Sequence, residues 1–533
     1  MQSRHIVTAP TLLSLTRSGQ LEDLTLFQVR PILSLIDWQR MVGWMKNKHE
    51  ETLDPDDWSA VRALAHKIVD DAVHHLSDLR SRPVWQDMPD KVRAAYLEPL
   101  PKDPTPLDEV YREITEHLMP YPMGNIHPRF WGWYMGSSNF TGALGDFLAA
   151  INGSNLGGGN TAPAQMDRQV VNWLKAMMDF PETASGTLTS GGSMANMVGL
   201  TVARNTMAGV DVRVEGVTNL PQPLRIYASD QAHSCHQKAA EALGLGSRAL
   251  RHIVSDDDFR MNIAALELAI AQDRAAGMRP VCVIATAGTV NTGAIDDMRA
   301  IAAVCRRESL WLHVDGCIGA LIKIAPVNRG MVAGIEAADS IALDPHKWLH
   351  TPFEAGCALV RDAKKHYGAF SLHPEYLEEK ARGVAAAERL SDYGFELSRG
   401  FKALKIWMSL KEQGVAKFGR LIDQNIAQGA FLTELIGADP RLELMAPTAI
   451  NIVCFRYRGQ CATEESFKAL NTEIMLRLQE AGTAVPTDTT VHGRHCLRVA
   501  INNHRTRRED LQLLVSETVR LGHELESQRE KVY

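Results

Sequence analysis

Apolar residues recur at helical spacing over residues 56–76, where Trp58, Val61, Leu64, Ile68 and Val73 share one side of the period and predict a helix. The 55 residues before it carry only weak periodicity. A connector rich in proline follows at residues 100–106. From about residue 140 the pattern changes. Short apolar runs at residues 225–228, 281–285, 312–314 and 340–343 read as buried strands. Helical stretches such as residues 263–275 and 298–307 fall between them, and a long helix over residues 508–526 closes the chain. Strands alternating with helices predict an α/β fold, a mostly parallel sheet covered by helices.

Composition narrows the class. The chain has 533 residues, 45% hydrophobic and 23% charged, with a formal net charge of -6. These values fit a globular protein with a large core and exclude a mainly disordered or fibrous chain. The mild negative charge gives no electrostatic footprint for nucleic acid or an anionic membrane. No apolar run is long enough to cross a membrane, and the first residues do not read as a secretory signal. Eight cysteines without a C-x-x-C pair read as free thiols in a reducing compartment, so a cytoplasmic enzyme is expected.

Four segments could carry chemistry. In Asp344-Pro345-His346-Lys347-Trp348, a lysine follows a predicted buried strand, where α/β sheets place ligands. Lysine forms Schiff bases with carbonyls, and burial is expected to lower its pKa; the alternative is a surface lysine after a turn. In Leu312-His313-Val314-Asp315 a carboxylate ends a strand, either facing a cationic ligand group such as a protonated pyridine or capping a helix. Thr189-Ser190-Gly191-Gly192-Ser193-Met194 opens a helix through a small-residue turn, which suits a phosphate or is simply a strand-to-helix turn. It matches neither the Walker nor the G-x-G-x-x-G pattern. Ser229-Asp230-Gln231-Ala232-His233 offers an imidazole that could stack on a planar ring. The spacing of His233, Cys235 and His236 is too tight for a usual zinc site, so no metal is expected. Schiff-base lysine, pyridinium partner, phosphate cradle and stacking ring together describe pyridoxal 5'-phosphate (PLP).

On these segments, and on His127-Pro128-Arg129-Phe130-Trp131-Gly132 and Leu397-Ser398-Arg399-Gly400-Phe401-Lys402, the chain resembles the group II PLP-dependent amino acid decarboxylases, over about residues 56–525. It is most similar to the aromatic-L-amino-acid decarboxylases. The resemblance implies the aspartate-aminotransferase type of fold (fold type I) and a homodimer with active sites at the interface. It implies an N-terminal extension at residues 1–55 and a helical segment at 56–139 packing on the partner subunit. A large PLP-binding domain at 140–415 and a small α+β domain at 416–533 follow. It implies that Lys347 carries the Schiff base, Asp315 keeps the pyridine nitrogen protonated and His233 stacks on the ring. Gly192, Ser193, Met194 and His346 would bind the phosphate, Thr286 would contact the ring, and Trp133 and Tyr134 would lie near the substrate. The implied reaction is decarboxylation of an aromatic or otherwise bulky L-amino acid to its amine and CO₂.

The chain departs from the family in places. The loop tyrosine that protonates Cα in the family has no clear match, because its usual position falls near Leu390; Tyr393 is the nearby candidate. This keeps a second outcome open, an aldehyde synthase or a carbon–carbon lyase. Glycines and asparagines at residues 155–160 suggest a roomier pocket, and Cys317 reads as a packing residue. An interaction protein built on an inactive homologue is disfavoured by the intact Lys347, Asp315 and His233. A DNA-binding regulator is disfavoured because no basic helix-turn-helix precedes the fold.

Overall fold

The structure, a computed structural model, describes residues 52–372 and 380–530. Most of the proposed N-terminal extension, and residues 374–379 of the loop before Tyr393, lie outside these. The chain divides into two compact units, Met1–His75 and Leu76–Tyr533. The helix predicted at residues 56–76 begins at Trp58, in the first unit, and ends at Ser77, just past its boundary. Its apolar positions Trp58, Ile68, Val69 and Val73 are exposed.

The second unit is built on seven strands: β1 (Ser185–Thr189), β2 (Leu224–Ser229), β3 (Leu250–Ile253), β4 (Arg279–Thr286), β5 (Trp311–Asp315), β6 (Ser340–Leu343) and β7 (Gly356–Val360). They lie in the order β1-β7-β6-β5-β4-β2-β3. The pairs β2–β3, β2–β4, β4–β5 and β5–β6 are parallel. Only β7 runs against the others, pairing antiparallel with both β6 and β1. The predicted runs at 225–228, 281–285, 312–314 and 340–343 are thus the cores of β2, β4, β5 and β6. Every residue of β5, β6 and β7 is buried, which explains why they read as unbroken apolar runs rather than alternating ones. The helices predicted between strands are found at Ile263–Ala275 and Met298–Glu308.

A second sheet lies nearer the C-terminus: β8 (Leu442–Leu444), β9 (Ile452–Tyr457), β10 (Thr487–Val491) and β11 (Arg494–Ala500), all antiparallel in the order β10-β11-β9-β8. Its apolar face and the helices Val415–Ala438, Glu464–Glu480 and Arg508–Glu530 share a second core around Phe455, Leu470 and Leu511. The strand directions of the large sheet decide where ligands go. The carboxyl ends of β1, β2, β4, β5 and β6 meet the amino end of β7 along one edge, which collects the loops that carry chemistry.

Candidate active site

A cavity of about 550 Å³ opens at that edge, within the usual range for small-molecule sites. Each strand end contributes to it. β5 delivers Asp315, β4 delivers Thr286, and the turn after β6 delivers His346 and Lys347. β1 runs through Ser190 and Gly191 into the helix Gly192–Met207, whose first residues Gly192, Ser193 and Met194 line the wall. The segment after β2 brings His233. The first N–H groups of a 16-residue helix lack intrahelical partners and face an anion favourably.

Asp315 ends its strand and caps no helix. One carboxylate oxygen accepts from His236 Nε2 at 2.9 Å and the other from the Cys317 N–H at 3.2 Å. Burial alone would raise its pKa, but the His236 bond and the charges of His236 and Lys347 hold it well below the usual carboxylate range. It is therefore held as an anion at the border of the cavity, where it suits a cationic ligand group.

Lys347 departs from expectation. Its Nζ lies 3.0 Å from Asp344 Oδ2 and 5.9 Å from the ring centre of the buried Tyr134. Burial works to lower its pKa, as the sequence suggests, but the charge and hydrogen bond of Asp344, helped by Asp315, win and raise it above the ordinary lysine value. Desolvation is the larger single effect, yet a carboxylate in contact reverses its sign.

A buried chain of hydrogen bonds fixes the helix start to the sheet. Trp311 Nε1 donates to Ser340 Oγ at 2.8 Å, and Ser340 Oγ lies 2.8 Å from His313 Nδ1. His313 Nε2 is 2.7 Å from Asn196 Oδ1, and Asn196 Nδ2 donates to the Gly192 carbonyl at 2.9 Å. Burial pushes His313 down to about 3, so its ring stays neutral. The directions then agree: Ser340 donates to Nδ1, and Nε2 donates to Asn196.

The residues fit PLP: an amine for its aldehyde, an anion for its pyridine nitrogen and a helix start for its phosphate. Two features of the chain support that fit. Thr286 Oγ1 and Asp344 Oδ1 are buried without a hydrogen-bond partner, and both residues line the cavity. A Cβ at Gly192 would stand 2.4 Å from Cys317 Sγ and 2.7 Å from Asp344 Oδ2, so only glycine leaves this cradle open.

The other expected residues are distributed unevenly. His233 opens to the cavity, its Nδ1 accepting from the Cys235 N–H at 3.1 Å. Its pKa is lowered, chiefly by desolvation. His346 Nδ1 bonds the Ala355 carbonyl at 2.7 Å. Tyr134 lies beneath Lys347, with its hydroxyl near Asn451. Trp133, at a left-handed φ of 49°, is 53% exposed and does not line the cavity. Tyr393 also stands outside it: its hydroxyl donates to Glu388 and its ring packs on His366 and Tyr367. The glycine-rich stretch packs against Arg389 and Leu397 rather than the cavity of its own chain. Sequence reasoning gave no role to Asp344 or Phe353, and weighed His236 only as a metal ligand. A carboxylate three residues before the lysine was the available signal for Asp344; nothing local pointed to Phe353 or to a bond between His236 and Asp315.

The Pyridoxal-dependent decarboxylase conserved domain matches residues 89–458. The chain is 32% identical to an aromatic-L-amino-acid decarboxylase of Bacillus atrophaeus over 476 residues, 87% of this chain and 96% of that one. It is 31% identical to tryptophan decarboxylase 1 of Oryza sativa subsp. japonica, over 85% of this chain and 92% of the relative. Among solved structures, the Oryza sativa TDC crystal structure with PLP and tryptamine superposes with a TM-score of 0.82 at 29% identity, covering 89% of this chain and 100% of that one.

Proposed function

Because the chain belongs to the pyridoxal-dependent decarboxylase family, and so is a PLP-dependent carboxy-lyase of L-amino acids, we propose that its substrate is an aromatic L-amino acid, released as the amine. The convergence of Lys347, Asp315, His233 and the start of the helix Gly192–Met207 on one cavity supports the cofactor site, and the apolar Val290, Ile318 and Phe353 in that cavity carry the aromatic reading. When bound, PLP accepts the electron pair left on Cα as CO₂ departs.

The chain's own groups divide the remaining work. Lys347 would supply the amine that holds the cofactor aldehyde. Asp315 holds a proton at the pyridine nitrogen. Gly192, Ser193 and Met194 would bind the phosphate through backbone N–H groups, with His346 beside them. Thr286 Oγ1 supplies a free hydroxyl to the ring, and His233 a stacking face. The apolar side chains Val290, Ile318 and Phe353 line the same cavity and suit an aromatic side chain.

A second copy of the chain is the proposed partner. Phe147, Leu148 and Ile151 are 57%, 46% and 73% exposed on the helix Phe140–Asn152, an apolar face that a single chain leaves uncovered. A cytoplasmic setting accords with eight cysteines that are all free thiols.

The test is an absorption spectrum of the purified protein, followed by incubation with a panel of L-amino acids. A visible cofactor band absent in Lys347→Ala, with amine and CO₂ formed one to one from an aromatic substrate, is expected. Aldehyde and ammonia in place of amine would move the reaction to the aldehyde-synthase reading. No CO₂ from any aromatic amino acid would overturn the proposed substrate class.

A further inference from the structure

We propose that His236 is a positioning residue that, through its bond to Asp315, makes the site select a cofactor carrying a ring nitrogen. The inference rests on the reading of Asp315 as the partner of the pyridine nitrogen and goes one residue beyond it.

The geometry begins in one short segment. His233 and His236 are three residues apart, and the His236 N–H donates to the His233 carbonyl at 3.2 Å. This single turn opens His233 to the cavity and sends His236 inward, where it is fully buried. Its Nε2 meets Asp315 Oδ2 at 2.9 Å. An ionised carboxylate only accepts hydrogen bonds, so the proton of this contact sits on Nε2. Nδ1 is buried without a partner, which leaves the imidazole one polar task, the bond to Asp315.

That bond does two things for the carboxylate. Together with the Cys317 N–H on the other oxygen, it fixes the carboxylate plane at the end of β5 while Asp315 still borders the cavity. It also stabilises the charged form of a group only 6% exposed, for which burial is costly. Without the donor, a buried carboxylate can relieve its charge by keeping a proton of its own. It then no longer demands a protonated ring nitrogen opposite it. His236 is fully buried and does not line the cavity, so its effect must pass through Asp315.

The experiment uses the full-length protein stripped of cofactor. Binding of PLP is compared with binding of 1-deazapyridoxal 5'-phosphate, which carries C–H in place of the ring nitrogen, by equilibrium dialysis. The variants are His236→Phe, His236→Gln and Asp315→Asn, with thermal melting of each apo form to verify folding. Wild type is expected to prefer PLP. His236→Phe should weaken PLP binding at least about tenfold, leave the deaza analogue nearly unchanged, and so erase the preference. His236→Gln, which keeps an N–H donor, should restore part of it. Equal losses for both cofactors in His236→Phe would mean a packing role and overturn the proposal. So would an unchanged preference in His236→Phe when Asp315→Asn abolishes it; in that case Asp315 keeps its role. If Asp315→Asn also leaves the preference intact, the reading of Asp315 fails, and the proposal with it. If His236→Phe does not fold, the preference is read from His236→Gln and from His236→Asn, whose shorter amide should retain less of it; a full preference in both overturns the proposal.

Discussion

Lys347 Nζ and Asp344 Oδ2 lie 3.0 Å apart, and this contact outweighs the desolvation of a lysine whose side chain is 16% exposed. The pair raises the lysine pKa above its ordinary value. A raised pKa in the folded state favours folding below the ordinary lysine value, and that contribution disappears as pH climbs through the folded one. Asp344→Asn removes the largest attraction and leaves desolvation opposed only by Cys317 and Asp315, so the pKa should fall. In the apo protein, the rate at which an amine-specific reagent labels Lys347 should then reach its half-maximum more than about one pH unit lower than in wild type. An unshifted profile would show that Asp344 does not control the charge of the lysine.

Gly192 is required for space rather than for backbone freedom. A methyl group there would meet Cys317 Sγ at 2.4 Å and Asp344 Oδ2 at 2.7 Å. Gly192→Ala should therefore fold but bind PLP about tenfold or more weakly, through a displaced helix start. Adding Cys317→Ala should recover part of the loss, because it clears the nearer of the two contacts. Dialysis of both variants decides the matter; a Gly192→Ala protein that binds PLP like wild type would refute the steric argument.

Acid should unfold the protein through its buried histidines. Burial holds His313 at about 3, and His127, His366 and His504 each at about 4. Their pKa values are depressed on folding, so below about pH 6.5 the unfolded chain binds protons that the native one refuses. Stability should fall with decreasing pH, by about 1.4 kcal/mol per pH unit for each such histidine. His313→Asn should lower the melting temperature at pH 7, because it breaks the chain from Ser340 to Asn196. It should also flatten the decline between pH 6 and pH 4.5 by about one proton's worth of slope. A parallel decline in the two proteins would show that His313 is protonated in the native state.

The sheet was legible where both faces are buried. Residues 340–343 read as a strand because Ser340–Leu343 is wholly covered, and the same holds for the middle of β5. The small sheet was less so. In β10 half-buried Thr487 and Thr489 alternate with exposed Asp488 and Thr490, and no unbroken apolar run marks it. Lys347, Asp315, His233, Thr286 and the helix start at Gly192 all reach the cavity because each sits at or just beyond the end of a strand in the large sheet. Trp133 could not be placed from its neighbours: it takes a left-handed φ of 49° and stands exposed, while the adjacent Tyr134 is buried. The charge state of Lys347 was also hidden, since it depends on where the Asp344 side chain points and not on its spacing alone.

Tyr393 tests the outcome of the reaction. It ends the short helical turn Leu390–Tyr393, its hydroxyl donates to Glu388, and His366 Nε2 bonds its carbonyl at 2.9 Å. Burial and the Glu388 carboxylate both raise its pKa, which makes it a reluctant acid as well as a distant one within its own chain. Tyr393→Phe should therefore leave PLP affinity unchanged and kcat within about threefold of wild type, with amine still the product. The loss of one hydrogen bond should cost about 1 kcal/mol or less in stability, given that the hydroxyl is partly open to solvent. Product analysis by mass spectrometry, alongside kcat, checks this. Aldehyde in place of amine, or a fall in kcat of about a hundredfold, would instead make Tyr393 the proton donor to Cα. Its hydroxyl would then have to leave Glu388 and reach a cavity it does not line, and, if the proposed dimer forms, the cavity of the second copy would be the one to examine.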